Sequence, residues 1–182
     1  MAGILKVDKY QDFNGNDIMT SDGSGTITMP NGIISGQNYP AFEAYLSSNQ
    51  TVSNSTYTLT EFDTELFDTD NCYDNTTNYR FTPTVAGKYF VYANVQAIGS
   101  ADTLRDGIIV IQKNGVNYRE SRFNPQNGAP ESELHLHAVA TISMNGSSDY
   151  ISVNGYINVS SGTPQFSSDI KGTYFGAYRI GA

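Results

Sequence analysis

The chain has 182 residues, the length of one ordinary domain plus a short extension, and its 38% apolar and 12% aromatic content is enough to bury a core. Only 15% of residues are charged, with 17 glycines and many Asn, Ser and Thr in the polar positions; this suits short strands and tight turns and excludes a helical bundle. A net charge of −8 with no basic cluster argues against a nucleic-acid partner and favours solubility.

Cys72 is the one cysteine, so no intrachain disulfide framework is expected. No run reaches the roughly 18 apolar residues of a membrane span, and the Met1–Asp8 start lacks the basic and apolar stretches of a secretory signal. Asn-x-Ser/Thr triplets at Asn49, Asn54, Asn75, Asn145 and Asn158 then reflect composition rather than glycosylation.

In chain order, residues 1 to about 36 hold three short strand-like pieces, Ile4–Val7, Asp17–Thr20 and Thr26–Met29, separated by Asn-Gly and Gly-Ser-Gly. None is long enough to bury a core alone, so this zone is expected to order against another surface or against copies of itself. From Ala41 the reading is continuous β. "AFEAYL" and "TYTLTEF" are strands, "DTELFDTDNCYDNTTN" is an acidic loop, and "YRF" leads to a break at Thr82-Pro83. Proline donates no ladder hydrogen bond and Gly87 permits a turn, so one strand ends there and the next begins. "KYFVYANVQAI" and "GIIVIQKNG" follow, the latter closed by an Asn114-Gly115 turn. "VNYRESRF" returns, "NPQNGAPESE" is a loop, and "LHLHAVATISM", "YISVNGYINV" and "TYFGAYRI" complete about eight to ten strands. The pattern predicts an all-β sandwich or barrel over residues 37–182, preceded by a separate zone, residues 1–36, that docks on another surface or on copies of itself.

Side chains alternate along a strand, which puts Leu134, Leu136, Ala138, Ala140 and Ile142 on a core face and His135, His137, Val139 and Thr141 on the other. Ile151, Val153, Ile157 and Val159 form a second core set, with Tyr150, Tyr156 and two asparagines opposite. "KYFVYANV" is apolar on both faces, Tyr89, Val91, Ala93 and Val95 against Phe90 and Tyr92. Such a strand is expected to be covered on both sides, the second time by another subunit.

The order of "AFEAYL", "FTPTVAGKYFVYANV", "IIVIQKNG", "LHLHAVATISMNGSSDYISV" and "TYFGAYRI" resembles the C1q-like jelly-roll head of the C1q/TNF superfamily over roughly residues 41–180. Ser148-Asp149 stands where that family usually has Gly-Asp, and the closing strand carries Gly176-Ala177 at its small positions. The opening "MAGILKVDKYQDFNGNDIMTSDGSGTITMP" resembles the start of small structural proteins of tailed phages, particularly marine ones. The resemblance implies a homotrimer, with Phe90, Tyr92, Val139, Tyr174 and Tyr178 in the sheet that faces neighbours. It further implies a virion fibre or spike at the particle surface, joined to other virion proteins through residues 1–36 and facing a host glycan or protein. Capsid decoration without receptor binding is the alternative. Surface binding is expected at the loops carrying Asp102, Arg105, Asn124, Gln126 and Asn127, since loops vary on a rigid scaffold.

Chemistry finds few footholds. His135 and His137 share a strand face about 6–7 Å apart and bind a divalent metal only if three copies meet at a threefold axis; a wet interface is the simpler reading. Asp63, Glu65, Asp68, Asp70 and Asp74 offer oxygen ligands for Ca²⁺ or a glycosidase pair, but lack the Gly-spaced loop of an EF-hand and any defined separation. They read as a solvated rim. No Gly-x-Ser-x-Gly elbow occurs, Gly23–Gly25 is no phosphate loop, and acidic neighbours disfavour a Cys72 thiolate. The expectation is a protein without catalytic activity, cofactor or membrane insertion.

Overall fold

The computed structural model describes residues 7–25, 27–28, 40–125 and 131–181. The chain divides into two compact units, Met1–Asn38 and Tyr39–Ala182.

In the first unit, β1 (Lys9–Gln11), β2 (Asp17–Ser21) and β3 (Ile27–Thr28) form an antiparallel meander. The β1–β2 turn is held by the Asp12 carboxylate, which accepts from the Asn14 and Asn16 N–H groups at 2.9 Å, the side-chain bond that makes such residues turn formers. Lys9 and Asp17 pair across it at 2.9 Å. Phe13 sits fully exposed in this turn. Of the expected strand Ile4–Val7, all but Val7 falls outside the described residues.

The second unit is a sandwich. One sheet contains β4 (Ala41–Tyr45), β7 (Thr64–Asp68), β10 (Gly87–Ile98), β13 (Glu133–Met144) and β16 (Tyr174–Gly181), ordered β13-β10-β16-β4-β7. The short ladder β5 (Gln50–Thr51) with β15 (Gln165–Phe166) continues it beside β10. The other contains β8 (Tyr73–Asp74), β9 (Arg80–Phe81), β11 (Leu104–Lys113), β12 (Val116–Phe123) and β14 (Ile151–Val159), ordered β12-β11-β14-β9-β8, with β6 (Thr58–Leu59) also on β14. Every pairing is antiparallel.

Between the sheets lie Tyr89, Val91, Ala93 and Val95 of β10, the even positions of β13, and Ile151, Val153, Ile157 and Val159 of β14, all buried as the alternation predicts. At one end the core is aromatic. Phe42 of β4 stacks on Tyr73 at 4.5 Å and on Phe81 at 4.6 Å, and meets Phe175 edge-on at 4.8 Å. These offset and edge geometries are the ones ring quadrupoles favour.

The Thr82–Ala86 break carries the chain from β9 in one sheet to β10 in the other. Pro83 is buried in it, and the corner packs so closely that a Cβ on Gly146, at φ 72°, would collide with the Ala86 backbone nitrogen. Only glycine meets both demands there. At the sheet edge, the Tyr118 hydroxyl and the Lys113 ammonium donate to the Thr141 and Ser143 carbonyls of β13 at 3.1 and 2.7 Å. They occupy groups that a free edge would offer to another strand.

Three sequence expectations need correction. The acidic run is not one loop: it contains β7 and β8, because the Asp68 carboxylate accepts from the Tyr73 N–H at 2.7 Å and turns the chain inward. Tyr73 is thereby buried and donates its hydroxyl to the Phe62 carbonyl at 2.9 Å. "TYTLTEF" pairs only at Thr58–Leu59, since the Gln50 amide occupies the Leu59 carbonyl and the Glu61 N–H that a longer ladder would use. Arg105 is not a loop residue. Leu104 is buried and starts β11, and the register slips between Leu104 and Asp106, so Arg105 is an exposed bulge residue.

Candidate functional site

The outward face of the β13-β10-β16-β4-β7 sheet carries a cluster of aromatic side chains. Cross-strand register aligns Thr141, Phe90, Tyr178 and Ala41 in one row, Val139, Tyr92, Gly176, Glu43 and Phe67 in the next, and His137, Asn94, Tyr174 and Tyr45 in a third. All five residues expected at a subunit interface therefore share one face. Phe90 lies 5.4 Å from Tyr178 and 6.2 Å from Tyr92, and Tyr92 lies 6.2 Å from Tyr174, a continuous run of rings. Val139 is 57% exposed and Tyr178 45%.

Gly176 makes the centre flat. With no Cβ there, the Tyr92 ring lies across the β16 backbone and its hydroxyl donates to Glu43 Oε2 at 2.6 Å. Burial first, and the Glu43 carboxylate second, push the Tyr92 phenol well above its ordinary value. The hydroxyl stays protonated as a donor. The sequence marks Gly176 only as a small position of the closing strand and does not mark Glu43, since no local signal reveals a contact across 49 residues.

His135 and His137 are exposed on β13, opposite Gln96 and Asn94. Gln96 is itself buried, donating to Glu133 Oε2 at 3.0 Å while its Oε1 has no partner. Among the described residues of one chain, no three His, Cys, Asp or Glu side chains gather as metal ligands.

The acidic residues are dispersed. Asp63 accepts from the Ser47 N–H and hydroxyl at 2.7 and 2.5 Å, Asp68 from Tyr73, and Asp70 from the Thr84 hydroxyl. Asp74 takes the Thr77 N–H at 2.9 Å and the Asn78 amide at 2.7 Å. These bonds hold the Asp74 carboxyl well below the usual carboxylate range. A depressed folded-state pKa stabilises the fold above the unfolded value of about 4 and loses that effect as pH falls through the folded one. Asp74→Ala is thus expected to melt below the wild type at pH 7, with a gap that narrows below about pH 4, measured by thermal melts across that range.

Cys72 is buried, and burial first, then the Asp68 and Asp70 charges, raise its thiol far above ordinary. A thiol so held is a poor nucleophile.

The expected binding loops meet at one end of the sandwich. Asp102 adopts φ 56°, and its N–H donates to the Ser132 hydroxyl at 3.0 Å. Leu104 bridges Glu131, and Gly107 pairs with Phe123, which brings exposed Arg105 and half-buried Asn124 to this end. Gln126 and Asn127 lie outside the described residues.

Two face-to-face antiparallel sheets, with eight strands of five residues or more in the head, make this a jelly roll of the C1q/TNF type. Among solved structures, murine APRIL at pH 8.0 is similar with a TM-score of 0.55 and 11% identity, covering 79% of this chain and 100% of that one. Murine APRIL at pH 5.0 gives a TM-score of 0.52 at 11% identity over the same shares. Eiger TNF from S. frugiperda gives 0.50 at 12% identity, covering 78% of this chain and 91% of that one. At such identities the likeness is one of fold. No protein-family model matches the sequence, and no curated protein does.

Proposed function

We propose that this protein is a non-enzymatic homotrimeric virion component, a short phage fibre or spike whose head contacts the host surface. The observation that carries self-association is the aromatic face around Tyr92, open at Val139 and Tyr178. A sheet face with a run of four neighbouring rings and an exposed valine calls for a cover, and a jelly-roll head of this size has one ready in its own copies. Three copies would then turn their β11–β14 sheets and the Asp102, Arg105 and Asn124 end outward. Attachment works by avidity: each trimer presents three equivalent surfaces, and several trimers make weak contacts firm.

The phage setting rests on the resemblance of residues 1–30 to virion structural proteins and of the head to C1q-like modules. Capsid decoration is the second reading, and copy number separates the two. Imaging of intact particles with quantitative mass spectrometry is expected to find a few trimers at the tail or a vertex. Hundreds of copies over the shell would favour decoration, and absence from particles would end the virion reading. Purified trimer is also expected to compete with particles for host adsorption.

A further inference from the structure

On the outward face of the second sheet, β14 presents Ser152, Asn154 and Tyr156, the positions that alternate with its core residues. Beside the first two a cleft of about 320 Å³ opens, walled by Arg80, Gln112, Tyr150 and Thr77. The Arg80 guanidinium lies 4.4 Å from the centre of the Tyr150 ring. Stacking engages the face of a guanidinium and leaves its in-plane N–H fork for a ligand. Among the described residues no carboxylate lies within ion-pair distance of Arg80. Asp74, opposite it in the β8–β9 ladder, is committed to the Thr77–Asn78 turn. Across the cleft, Asn154 Oδ1 is buried and has no hydrogen-bond partner. Buried acceptors are rarely left so, because an unmade bond costs the full desolvation of the group.

We propose that this cleft binds the acidic sugar of a surface glycan, a uronic or sialic residue carrying one carboxylate. The carboxylate takes the Arg80 fork in a bidentate pair, and a ring hydroxyl donates to Asn154 Oδ1 as the amide turns out of burial to meet it. Tyr156 stands about 7 Å further along the strand and packs against Tyr57 at 5.1 Å between ring centres, a platform for the apolar face of the next, neutral sugar. The net charge of −8 disfavours a polyanion, while screening over about 8 Å leaves a single acidic residue free to dock. This site deepens the attachment reading and rests on it.

Calorimetric titration of the full chain with trisaccharides ending in glucuronic acid or N-acetylneuraminic acid, against glucose- and galactose-ended counterparts, tests it. At least one acid-ended probe is expected to bind about tenfold more tightly than its neutral counterpart, and which one identifies the sugar. Arg80→Met and Asn154→Asp are each expected to abolish that preference, while Arg80→Lys, which keeps charge but not the fork and serves if Arg80→Met misfolds, retains part of it. Equal binding of acidic and neutral probes, or binding by folded Arg80→Met unchanged from wild type, overturns the site. If wild type and Arg80→Met block host adsorption equally well, this site is wrong and the attachment reading stands. If wild type binds the acidic probe through Arg80 yet blocks nothing, the site stands and attachment fails.

Discussion

Phe42→Ala is expected to cost about 3–5 kcal/mol of folding free energy, the range for removing a large buried aromatic side chain. Phe42 is fully buried and touches rings from three other elements: Tyr73 of β8, Phe81 of β9 and Phe175 of β16. Those elements belong to both sheets, so the cavity falls where the sandwich is held together and rigid strands on either side resist collapse into it. Domains of this size are stable by only about 5–15 kcal/mol, so the loss is a large share of the whole. With a urea slope of about 2 kcal/mol per molar, the midpoint should fall by roughly 1.5–2.5 M. The comparison has to be made at one protein concentration, because self-association adds to apparent stability. A shift below about 0.5 M would mean that the aromatic cluster is not the keystone of this end of the core.

The second large effect is on assembly. Val139→Lys with Tyr178→Lys is expected to convert trimer to single chains, seen by light scattering on a sizing column as a fall to one third of the mass. Both side chains are largely exposed in the single chain, so lysine there should change protomer stability by no more than about 0.5 kcal/mol each. Buried between copies, an unpaired ammonium costs several kcal/mol, repeated at each interface. A control on the other side of the sandwich, Tyr57→Lys, should leave the mass unchanged, since that exposed tyrosine packs on Tyr156 of β14, off the aromatic face. If the face variant stays trimeric, the copies meet elsewhere. If wild type is itself a single chain in the micromolar range, the self-association proposal fails.

The same two regions show what was legible in advance. Period-two alternation in "LHLHAVATISM" and "YISVNGYINV" needs only the geometry of an extended chain, so the buried sets of β13 and β14 were readable residue by residue. The two-sided apolar character of β10 was equally visible, and Tyr89 and Phe90 do take opposite faces, one buried and one half-exposed. The acidic segment misled because composition was the only guide. Its aspartates spend their charge on backbone N–H groups that become neighbours only after folding, as Asp68 does on Tyr73, and so leave β7 and β8 inside a run that reads as loop.

What the sequence determined by itself was the β class, the strand faces and the strand break at Pro83, because alternation and turn chemistry act between residues a few positions apart. What only the tertiary structure decided was register: Tyr92 reaching Glu43 over Gly176, Arg105 pushed out as a bulge, and Arg80 brought over Tyr150 beside an unpartnered Asn154. Partners 49 to 84 positions apart are chosen by which strands close the common core, and a one-residue slip would send each of those side chains to the other face.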